Sequence, residues 1–150
     1  MDAIDRKILA IVQRESHLPH VELGKRVGLS VSAVNDRVRK LHRLGIIRAW
    51  TAEIDPTTLG LNLLAFMHIE IDRPEHAAGF LKAAGAIPEV LEIHHVTGDW
   101  NYLLKVRVST TAALEDLITN RLKKIKGVAR SNTTIVLTSP KETSALPIEL

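Results

Sequence analysis

The chain has 150 residues, a net charge of +3 and no cysteine, which excludes disulfides, thiolate catalysis and any cysteine-ligated zinc or iron–sulfur centre. Its apolar share of 45% suffices for one domain or two small packed cores. No signal peptide opens it and no apolar run nears the ~18 residues of a membrane span, so a cytoplasmic protein without a membrane partner is expected.

Asp2 caps a first helix whose apolar stripe is Ile4, Ile8 and Ile11, widened by Leu9 and Val12. Pro19, tolerated in a first turn, opens a short second helix carrying Val21, Leu23 and Val27, and Gly28 ends it. Ser30 then caps a third helix that closes at Gly45, with Val34, Val38 and Leu41 as its buried stripe. At about 100° per residue, Ser32, Asp36, Arg39 and Arg43 fall on the opposite side, a polar and cationic row that no core requires. Gly28-Leu29 is short enough to be the turn of a helix-turn-helix, in which the third helix enters a DNA major groove. The run Ile46–Ile54 is rich in strand formers and closes at Asp55-Pro56, as the β wing of a winged helix-turn-helix would.

Charge follows the same division. Residues 1–50 hold ten Lys/Arg and five Asp/Glu, residues 51–150 ten and twelve. The cationic excess therefore lies in the helical part, where phosphate neutralisation would use it and base-edge contacts would add specificity. The candidate DNA-contacting residues are Ser30, Ser32, Asn35, Asp36, Arg37, Arg39, Lys40 and Arg43.

Beyond a linker at 55–60 the period changes. Leu63–Ile71 reads as a buried strand, His76–Ala84 as a helix with Phe80, Leu81 and Ala84 as its apolar contacts, and Val90–Val96 as a second strand. The Thr97–Asn101 loop leads into Tyr102–Val108, where Leu104, Val106 and Val108 alternate with Lys105 and Arg107. A helix from Thr111 to about Ile125 buries Leu114, Leu117, Ile118 and Leu122, and Ser131–Thr138 forms the last strand. The order β-α-β-β-α-β is the ferredoxin-like split βαβ arrangement, which leaves one sheet face bare for a second copy to cover. The expected class is α+β, with a winged helix-turn-helix at 1–54 and the ferredoxin-like domain at 61–150.

Within the loop, Gly98 permits close backbone approach, turn N–H groups can cradle a carboxylate, and Asp99 can receive an ammonium group. Other chemistry is poorly supplied. His17 and His20 have an i, i+3 spacing but no carboxylate cluster beside them, and adjacent His94 and His95 must point to opposite faces of a strand. No metal and no cofactor is expected, and Gly24 reads as a site of close helix packing.

Taken in order, Asp5-Arg-Lys-Ile-Leu9, Leu29-Ser30 with Arg37-Val-Arg-Lys-Leu41, Gly45-Ile-Ile47, Leu59-Gly60, Val96-Thr-Gly-Asp99, Gly127-Val128 and Thr133-Thr-Ile-Val136 resemble the Lrp/AsnC feast/famine transcriptional regulators. The resemblance implies a DNA-binding domain joined to an effector-binding RAM domain, homodimers that associate further up to octamers, and an amino acid as effector. It also implies effector binding where dimers meet, around Thr97, Gly98, Asp99, Trp100 and Asn101. Asn101 stands where the family often carries an acidic residue. Two alternatives share the architecture. One is an enzyme resembling siroheme decarboxylases, for which His94, His95 and Arg107 would supply a tetrapyrrole pocket. The other is an architectural DNA-binding protein without an effector. The basic exposed helix face favours DNA binding over the enzyme.

Overall fold

The computed structural model describes residues 1–149. By contact the chain divides into two units, Met1–Glu53 together with the segment from Lys141, and Ile54–Pro140. By contact the second unit runs to Pro140, and the following segment packs with the first unit. Gln13 holds it there, donating from Nε2 to the Leu146 carbonyl at 3.0 Å while its Oε1 accepts from the Leu146 N–H at 2.9 Å.

In the first unit, α1 (Ala3–Val12), α2 (His20–Val27) and α3 (Val31–Arg43) enclose one core of Ile8, Val12, Leu23, Val27, Val34, Val38, Leu41 and Ile47. Asp2 and Asp5 form a reciprocal capping box at the start of α1. Ser30 Oγ accepts from the Ala33 N–H at 3.2 Å and caps α3. Gly28 adopts φ 72° at the end of α2, a left-handed cap that turns the chain toward α3 within two residues. Gly24 faces that turn so closely that a Cβ would lie 2.6 Å from the Leu29 carbonyl oxygen. Val21, expected in the stripe, is 54% exposed, because at about 100° per residue it lies about 200° around α2 from the buried Leu23. Ile46–Ile54 forms no strand. Among the described residues no other strand of this unit lies alongside it, and strand formers without a partner make no ladder.

The second unit is one sheet of four strands, β1 (Leu63–Ile71), β2 (Val90–His95), β3 (Tyr102–Val108) and β4 (Val128–Ile135), ordered β2-β3-β1-β4 with every neighbouring pair antiparallel. The expected linker at 55–60 is an ordered turn, in which Asp55 accepts from the N–H groups of Thr57 and Thr58, both at 3.1 Å. These bonds favour the ionised carboxyl, led by the one from the Thr58 side chain, and hold it below its usual range.

α4 (Ala77–Gly85) and α5 (Thr111–Asp116) both pack on one face of the sheet, over Ala65, Met67, Ile69, Tyr102, Leu104, Val106 and Val108. Leu81, expected as a core contact, is 41% exposed; Phe80 and Ala84, four residues apart, form the buried stripe of α4 instead. The long second helix is not uniform, for it continues beyond Asp116 as a π-helix over Leu117–Leu122, with Lys123 N bonded to the Ile118 carbonyl at 2.9 Å. Five residues would span 500° of an α-helix, but the wider turn brings Leu117 and Leu122 onto the same side, and both are buried. The last strand begins three residues earlier than expected. The Asp72 N–H bonds to the Gly127 carbonyl at 2.8 Å, which brings Val128 opposite Ile71 and starts the ladder there.

Gly127 has φ 96°, and a Cβ on it would lie 2.4 Å from Cβ of His76. Gly98 has φ 104° with nothing within 4 Å of an added Cβ. Gly127→Ala should therefore destabilise the protein by about 1–3 kcal/mol and cost more than Gly98→Ala, as measured by urea unfolding.

Candidate functional site

Two groups of side chains, one in each unit, carry the candidate chemistry. In the first unit, Ser32, Asp36, Arg39, Lys40 and Arg43 are exposed on α3, and Ser30 is exposed at its cap. Lys40, Arg43 and the nearby Arg48 make no ion pair among the described residues, and Arg39 reaches only Asp36, at 3.9 Å between two exposed side chains. Their positive field is therefore not spent internally.

Arg37 behaves differently. Its Nη1 lies 2.7 Å from both Asp2 Oδ2 and Asp5 Oδ1, so the guanidinium faces α1 and crosslinks the capping box to α3. Asn35 is half-buried, and its Oδ1 accepts a hydrogen bond from His20 Nδ1. His20, Asn35, Arg39, Arg43 and Trp50 line one depression beside α3. Sequence reasoning missed His20 and Trp50 in this site. His20 is the first residue of α2, a position that faces α3 in a tight helix-turn-helix, and that placement was the available signal; Trp50 sits in the run expected to be a strand.

In the second unit, Thr97, Gly98 and Asp99 are exposed, and Asp99 has no hydrogen-bond or ion-pair partner among the described residues. Asn101 anchors the loop: its N–H bonds to the Ile69 carbonyl at 3.0 Å and its Oδ1 accepts from the Ile71 N–H at 2.7 Å. It is a structural clamp on β1, which removes its side chain from the exposed part of the loop. Trp100 is half-buried, its ring 5.8 Å from the His68 imidazole, with the Arg130 guanidinium 5.1 Å from its centroid. His68 and Arg130 were invisible to a reading along the chain. Strand register places them, since Asn132 stands opposite His68 and Arg130 opposite Glu70.

His94 and His95 lie on opposite faces. His94 Nε2 donates to Glu92 Oε2 at 2.9 Å, and His95 packs against the Tyr102 ring with centroids 5.1 Å apart. His94, followed by Lys105, holds the Glu92 carboxyl below its usual range. Arg107 Nη1 donates to the Leu61 carbonyl at 3.3 Å. These side chains do not converge on one pocket. Among the described residues no group of three or more His, Cys, Asp or Glu is placed to hold a metal, and no helix is long and apolar enough to cross a membrane.

The sequence family described as Lrp/AsnC ligand binding domain matches residues 64–146, and that described as winged helix-turn-helix DNA-binding matches residues 1–48. The leucine-responsive regulatory protein of Klebsiella pneumoniae is 38% identical, over 99% of this chain and 92% of its own length. The HTH-type transcriptional regulator FL11 of Pyrococcus horikoshii is 35% identical, over 99% and 97%. Among solved structures, a transcriptional regulator from Neisseria meningitidis in complex with L-Met superposes with a TM-score of 0.95 at 32% identity, covering 98% of this chain and 96% of that one.

The Asp2 carboxyl is held below its usual range first by the Asp5 N–H and then by Arg37. A depressed carboxyl contributes stability above its ordinary pKa of 3.8, and that contribution is lost as pH falls through the lower folded value. Arg37→Ala should lower the urea midpoint at pH 7, and its deficit against wild type should shrink as pH falls below 3.8 and through the lower folded value of Asp2. A deficit of equal size at pH 7 and pH 3 would show that the ion pair is not its source.

Proposed function

The chain belongs to the Lrp/AsnC family of transcriptional regulators, and from that premise we propose that α3 reads base edges in duplex DNA while a small molecule at the Thr97–Asn101 loop adjusts the response. It is a DNA-binding regulator and not an enzyme. The observation that carries the reading is the division of labour among the cations of the first unit. Arg37 and Arg26 are committed to carboxylates at 2.7 Å, whereas Arg39, Lys40, Arg43 and Arg48 are exposed on or just after α3. Cations without firm internal partners release counterions on meeting phosphate. Of the residues proposed to touch DNA, Ser30, Ser32, Asn35, Asp36, Arg39, Lys40 and Arg43 keep that role; Arg37 acts on the fold.

For the effector, the relative solved with L-Met supports an amino acid. The loop offers the exposed carboxylate of Asp99 to an ammonium group and the flexible backbone of Gly98 to a carboxylate. Inside one chain nothing crowds a Cβ at Gly98, so close approach there would come from a second copy or from the ligand. The sheet face opposite the helices carries Phe66, His68 and Leu103, all half-buried. A second chain covering that face would make the homodimer, and further association of dimers would bring loops together.

Arg39→Ala should weaken binding to a selected duplex by roughly tenfold and relax preference at one base pair, whereas Arg43→Ala should weaken all sequences alike. Gel-shift titrations check both, and equal wild-type affinity for random and selected DNA would leave only an architectural role. Asp99→Ala should abolish heat of binding in calorimetry with the twenty amino acids while gel shifts without effector stay unchanged. Phe66→Glu should dissociate the dimer, read by sedimentation at micromolar concentration; an unchanged sedimentation coefficient would place the interface elsewhere.

A further inference from the structure

Asn35, Arg39 and Arg43 follow one another at i, i+4 and i+8 along α3, so the Asn35 amide shares a slowly winding row with two exposed cations. Its Oδ1 is taken up by Nδ1 of His20 at the start of α2. An amide oxygen only accepts, so the ring nitrogen facing it carries the proton. We propose that His20 is a positioning residue that fixes the Asn35 amide with its nitrogen outward, making Asn35 a donor-only reader of the DNA major groove. The inference rests on α3 being the base-reading helix.

The consequence concerns which base is chosen. An unrestrained asparagine pairs with adenine by presenting oxygen and nitrogen side by side, accepting from the 6-amino group and donating to N7. With the oxygen drawn back to His20, only the two N–H groups remain for the groove. They match an edge that offers acceptors alone, which is guanine through N7 and O6 or thymine through O4. Specificity at this position is therefore set by a residue on the other helix of the motif.

Selection of bound sequences from a random duplex library, with the full-length protein and its variants, tests this. Wild type should prefer guanine or thymine by roughly tenfold at one base pair of each half-site, and Asn35→Ala should erase that preference. His20→Ala, and His20→Leu as a bulkier guard against loss of folding, should shift it toward adenine by freeing the oxygen. His20→Asn, whose Nδ2 branches from Cγ as the imidazole Nδ1 does, should retain guanine or thymine. An adenine at the Asn35-dependent position in wild type, or a wild-type pattern in both His20→Ala and His20→Leu, overturns the inference and leaves base reading by α3 intact. So does an unchanged pattern in Asn35→Ala when Arg39→Ala alters its own base pair. A wild-type protein that selects no sequence overturns the reading of α3 together with this one.

Discussion

The contact of Arg37 with two carboxylates is the constraint on which the first unit depends. A capping box made from Asp2 and Asp5 satisfies the orphan N–H groups at the start of α1, but it gathers two negative charges within one turn. The helix dipole offsets part of their repulsion. Arg37 offsets the rest, and because it projects from the middle of α3 it fixes the rotation of that helix against α1. Arg39 and Arg43 face outward because Arg37, Val34 and Val38 face inward.

The second unit obeys a different constraint, the placement of both helices on one sheet face. The split βαβ order puts β1 and β3 at the centre, so the loop between β2 and β3 starts at an edge strand and ends beside β1. Asn101 exploits that position. By accepting from the Ile71 N–H it extends the sheet's bonding into the loop, leaving Thr97, Gly98 and Asp99 as the part that projects. Were it to bind a ligand, a loop of this kind would gain precision from being short and tied at its base.

The stripes of α1 and α3, the caps at Asp2 and Ser30, and the alternation along β3 were legible because period and capping are local properties of the chain. The same is true of the polar face of α3. Whatever depended on a partner far along the chain was not legible. Ile46–Ile54 has strand chemistry but lacks a neighbour, and the start of β4 is set by a bond from Asp72 to Gly127 that no pattern around Ser131 discloses. Arg37 looked like one more cation of the α3 face until Asp2 and Asp5 were placed next to it, 35 and 32 residues away. Asn101 read as a member of the exposed loop because its hydrogen bond goes 30 residues back. The π-helical stretch was missed because it preserves the apolar spacing of Leu117 and Leu122 only by changing the helix that carries it.

The return of the chain from Lys141 to the first unit makes the sheet unit, topologically, an insertion into the helical one. During synthesis the three helices emerge before the sheet unit, and the residue that docks on Gln13 follows 133 residues after it. Closing so long a loop through an unfolded chain carries a large entropic cost, which grows with the logarithm of loop length. Once the sheet unit has folded, most of that loop is already ordered and the remaining flexible stretches are short. Docking of the segment from Lys141 is therefore less costly after the inserted unit has folded than before.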